Sequence, residues 1–109
     1  MIPYMFVIHS VPSPSNQHFE TVRYAKVHIW VMDDSPESAL DRARSYITEQ
    51  NWQPLQIEYA APIPPELLPQ LDTEEQRLFL TALRYGIAAD FVAAPVTNRP
   101  GSDIQLLRP

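Results

Sequence analysis

The chain has no cysteine and only two glycines in 109 residues. Without thiols there is no disulfide, no thiolate metal site and no cysteine nucleophile. Gly86 and Gly101 are too few and too far apart to build a glycine-rich loop around a phosphate. None of the seven serines lies in a G-x-S-x-G elbow or an S-x-x-K motif, so no hydroxyl nucleophile comes with an oriented base. Basic charge is also scarce. Eight Lys and Arg stand against thirteen Asp and Glu, for a net charge of −5. The cations are scattered, so there is no stripe to neutralise phosphates, and nucleic acid is not an expected partner. No stretch approaches the roughly 20 apolar residues of a spanning helix. The apolar start "MIPYMFVIHS" lacks a basic lead and a small-residue cleavage site, so it reads as a strand rather than a signal peptide. These absences lead to the expectation of a cytoplasmic protein with no membrane partner and no cofactor.

What the chain does have is apolar bulk. A hydrophobic share of 45%, with four Phe, five Tyr and two Trp, is enough for one core, and such a core leaves a net stability of about 5 to 15 kcal/mol. One α+β domain over residues 1–94 is expected, followed by a disordered or loosely docked tail over 95–109, where turn residues replace periodicity.

Ile2 to His9 is a nearly continuous run of β-branched and aromatic residues, the pattern of a strand covered on both faces. Residues 10–18, "SVPSPSNQH", read as a loop. From Thr21 to Met32 the residues alternate. Ala25, Val27, Ile29 and Val31 form an aliphatic face, while Tyr24, Lys26, His28, Trp30 and Met32 form a face of aromatic bodies and polar tips. After Pro36 the period changes: Ala39, Leu40, Ala43, Tyr46 and Ile47 share one helical stripe that runs to about Gln50. Leu55, Ile57 and Tyr59 then alternate with Gln56 and Glu58 as a third strand. The prolines between Pro62 and Pro69 predict a stiff, extended connector, which in principle suits an aromatic recognition groove but is more simply a rigid link. Asp72 and Glu75 have the spacing of a capping box, and Gly86 ends the helix that follows. "IAADFVAAPV" then forms a short strand or extends the helix to Ala94. The resulting order is β-β-α-β-α(-β), a small two-layer sandwich with the helices on one face of a three- or four-stranded sheet.

The sequence "DDSPES" before the first helix resembles an acidic motif, yet chain mechanics explain most of it. Ser35 suits the N-cap, Pro36 the first helical position, and Glu37 and Asp34 the positive end of the helix dipole. Asp33 is left over, at the edge of the aliphatic face. For a metal the histidines are poorly spaced. With a hairpin loop over 10–20, His9 at the loop end and His28 far along its strand stand roughly 20 Å apart, at about 3.3 Å per residue. His18 and Glu20 have no fixed spacing, and no metal site is expected.

Two functional readings follow. The first is an acidic protein-interaction or binding module that contacts a partner, or a second copy of itself, through Tyr24, Lys26, His28, Trp30 and Met32. Aromatic and Met side chains with polar tips are common at interfaces. An inhibitor or immunity protein opposing a basic toxin is one form compatible with the charge. The competing reading of that face is ordinary core beneath a helix, with Lys26 reaching to its edge. The second is a small enzyme using His9, His28, Asp33 and Glu58 in a cleft between strands two and three.

Overall fold

The computed structural model describes residues 1–95 and the backbone of residues 105–107. The strands are β1 (Ile2–Pro12), β2 (Val22–Asp33), β3 (Trp52–Pro62), β4 (Ile87–Pro95) and β5 (Gln105–Leu107). The helices are α1 (Pro36–Glu49) and α2 (Thr73–Tyr85), and a 3-10 helix spans Pro65–Gln70. The strands form one sheet in the order β3-β1-β2-β4-β5, every neighbouring pair antiparallel. The α+β architecture and the order of its main elements are those expected, and residues 87–95 are a strand rather than an extension of α2.

The helix starts follow local chemistry. Ser35 caps α1 by accepting from the Ser38 backbone N–H at 3.2 Å, with Pro36 in the first turn. Asp72 accepts from the Glu75 N–H at 2.8 Å and Glu75 reaches back to the Asp72 N–H at 3.2 Å, which closes the capping box of α2. Gly86 ends α2 with φ +89°, a backbone state that a Cβ disfavours.

Alternation along the central strands makes two cores. Tyr4, Phe6 and Ile8 of β1, Ala25 to Val31 at every second residue of β2, and Phe91 and Ala93 of β4 point to one face. There they meet Ala39, Ala43 and Ile47 of α1, whose two alanines let the helix sit close to the sheet. Burying a side chain such as Ile47 contributes about 1.5 to 3 kcal/mol. Trp30, Met32 and Ala88 point to the opposite face, where Leu78, Ala82 and Phe79 of α2 and Leu68 of the 3-10 helix cover them.

The helices therefore lie on opposite sides of the sheet, in three layers, not on one face of a two-layer sandwich. The reason is at the end of β2, where Ile29, Trp30, Val31 and Met32 are all buried. A strand apolar on both faces needs cover on both sides.

Three further expectations are corrected. β1 does not stop at His9 but continues through Ser10, Val11 and Pro12, which pair with β3, so these three residues of the expected loop are strand. The proline connector is not extended throughout. Pro65 starts a 3-10 helix, where its fixed φ and missing N–H cost nothing. Strands β2 and β3 are not neighbours, because β1 lies between them. Of the segment read as a loose tail, residues 96–104 and 108–109 lie outside the described residues, while Gln105–Leu107 pairs with β4.

Candidate functional site

Among the described residues, cover on the second face stops partway. α2 and the 3-10 helix lie over Trp30, which is 1% exposed, and over Met32. Beyond them Tyr24, Lys26 and His28 of β2 are only half-buried. The five residues expected to act together are thus split: Trp30 and Met32 belong to the protein's own core, and Tyr24, Lys26 and His28 remain on an open surface.

Register adds to that surface. His9 pairs with Lys26 and Val7 with His28, so the two histidines are diagonal neighbours on adjacent strands rather than about 20 Å apart. The longer β1 is the cause. His9 stacks on Tyr24 with ring centroids 4.7 Å apart, and its Nδ1 lies 3.6 Å from Glu58 Oε1. Glu58 also forms an ion pair with Lys26, and this contact holds its carboxyl below the usual carboxylate range. Glu58 reaches this face because the β1–β3 register skips it, the mark of a bulge, and Tyr59 beyond it pairs with Val7 and is exposed.

At the β4 side, Asp90 is buried and pairs with Arg77 of α2, which also bonds Glu74 at 3.2 Å. Asp90 raises the affinity of the Arg77 guanidinium for its proton. A pocket of about 390 Å³ opens here, between the first turns of α2 and the sheet. Met5, Trp30, Leu78 and Val92 form its apolar wall, and His28, Asp90, Asp72, Glu74 and Glu75 its polar one.

Asp33 lies elsewhere, on the α1 face. Its carboxylate accepts from the Asp34 N–H at 2.7 Å and the Ser38 hydroxyl at 2.8 Å, and it pairs with Arg42 at 3.2 Å. The Asp34 N–H is the leading cause of an acidity stronger than that of an ordinary aspartate. Asp33 and Glu58 point to opposite sides of the sheet and cannot share a reacting atom. The cleft envisaged between β2 and β3 is filled by β1, and the contact surviving from the enzymatic reading is His9 with Glu58.

Sequence reasoning missed Asp90, Arg77 and Tyr59. For Asp90 the signal was present: a lone carboxylate in an otherwise apolar nine-residue strand must find a cation. For Tyr59 it was not, because a bulge breaks the alternation that assigns sides.

Among the described residues no group of three or more His, Asp or Glu is arranged to hold a metal ion, and no helix is long and apolar enough to cross a membrane. No family model, curated protein or solved structure matches this chain.

Proposed function

We propose that the protein is an interaction module whose contact surface is the open half of the second sheet face, and that a second copy of the chain is its simplest partner. The observation that carries this reading is charge balance. The chain has a net charge of −5, which opposes self-association over most of its surface. On the open half Lys26 and Glu58 cancel as a pair. Tyr24 and Tyr59 add aromatic bodies on a rigid sheet, the residue type that anchors interfaces at low entropic cost. An inhibitor-type role against a basic partner draws instead on the total charge, and the balanced face favours the second copy. The test is a dilution series followed by backbone amide resonances. Concentration-dependent shifts at Tyr24, Lys26, His28 and Tyr59, with none along the outer face of α1, are expected. Shifts confined to α1, or none at any concentration, contradict the reading.

A further inference from the structure

Trp30 lies on the wall of the pocket under α2 and is 1% exposed. Its indole N–H is the buried side-chain polar atom without a hydrogen-bond partner among the described residues. An unmet N–H of this kind costs about 1 to 3 kcal/mol unless something accepts from it. The polar wall carries four carboxylates, and among the described residues the cation in contact with them is Arg77. Arg77 takes Oδ2 of the buried Asp90, which leaves Oδ1 to another donor. The α2 N-terminus offsets about half a charge, so the pocket stays acidic. Met5 and Leu78 add apolar surface beside these groups, and the volume is in the range of small-molecule sites.

We infer that this pocket binds a small organic ammonium that also carries an apolar body and an acceptor oxygen, the combination found in an α-amino amide or at the N-terminus of a peptide. The ammonium meets Asp90 and Glu74, the apolar body lies on Met5 and Leu78, and the oxygen accepts from Trp30. The site borders the proposed contact face at His28 but does not depend on it. Loss of one leaves the other standing.

Phenylalaninamide is the direct probe, followed by the two indole N–H resonances in solution. Trp52 is buried on the α1 side against Phe91 and serves as an internal reference. The Trp30 signal is expected to shift saturably at millimolar ligand while the Trp52 signal stays. N-acetylphenylalaninamide, which has no charge, and 3-phenylpropionate, which has the wrong one, are expected to bind at least about tenfold more weakly, a difference of 1.4 kcal/mol. Asp90→Asn should weaken binding several-fold, and Glu74→Gln, at the exposed rim, gives the same readout without disturbing a buried pair. A tripeptide amide with a free N-terminal Phe that binds tighter than phenylalaninamide identifies a peptide end as the ligand, and equal binding identifies a free amine. A Trp30 signal that does not move assigns its N–H to buried water and overturns the inference. Equal binding of the acetylated amide does the same.

Discussion

Phe79 meets Trp30 edge-on, with ring centroids 5.9 Å apart and planes at 61°. This pair is where α2 seals the second face, and beyond it the face is open. Phe79→Ala should cost about 2 to 4 kcal/mol by urea denaturation. It should also speed solvent exchange of the Trp30 indole N–H while that of Trp52 is unchanged. Equal protection of both indoles in the variant would show that something other than Phe79 seals Trp30.

Arg42 ties three elements together. It donates to the Met32 carbonyl at 2.7 Å and the Gly86 carbonyl at 3.3 Å, and Met32 N–H donates to the same Gly86 carbonyl at 3.0 Å. A Cβ on Gly86 would stand 2.9 Å from Arg42 Nη2, in a backbone state that L residues rarely adopt. Gly86→Ala should therefore destabilise by about 1 to 3 kcal/mol, and Arg42→Ala by about 1 kcal/mol. In the double variant the steric part disappears and the φ cost remains, so the combined loss should be less than the sum of the two. Strict additivity in urea melts would mean that the guanidinium swings away freely.

Acid sensitivity should follow Asp33. The donors around it favour the ionised carboxylate and lower its folded-state pKa below the ordinary 3.8. Stability from this group is then fully present above that value and is lost as the pH falls through the folded-state pKa. Asp33→Asn should be less stable than wild type at neutral pH, and the two curves should converge below pH 3.8. Glu58 is shifted in the same direction by Lys26 and acts equally in both proteins. Parallel curves down to the acid limit would remove Asp33 from the account.

Residues whose structure is set locally were legible from the sequence. Ser35, Asp72, Glu75 and Gly86 depend on neighbours within one helical turn, and each has the role that its chemistry predicts. The alternation of β2 separated its two faces correctly because one face is wholly aliphatic. What covers the aromatic face was not legible, since Phe79 and Leu78 reach Trp30 only after the connections through α1, β3 and the 3-10 helix have set the path of α2. The length of β1 failed for a related reason. Ser10 and Pro12 look like loop residues, but pairing with β3 about 40 residues later holds them extended. That error separated His9 from Lys26 and hid the His9, Tyr24 and Glu58 cluster. The bulge at Glu58 is likewise a property of two strands together.

The proposal that the open half face receives a second copy is tested most directly by sedimentation across concentration. A chain of 12.5 kDa should approach twice that mass as concentration rises. The range should extend to about 1 mM, where an association worth about 4 kcal/mol is still visible. Tyr24→Ala with Tyr59→Ala should keep the monomer mass over the same range, and Arg44→Ala, on the exposed side of α1, should behave as wild type. A wild-type protein that stays monomeric up to the highest concentration, or a dimer indifferent to both tyrosines, would contradict the account.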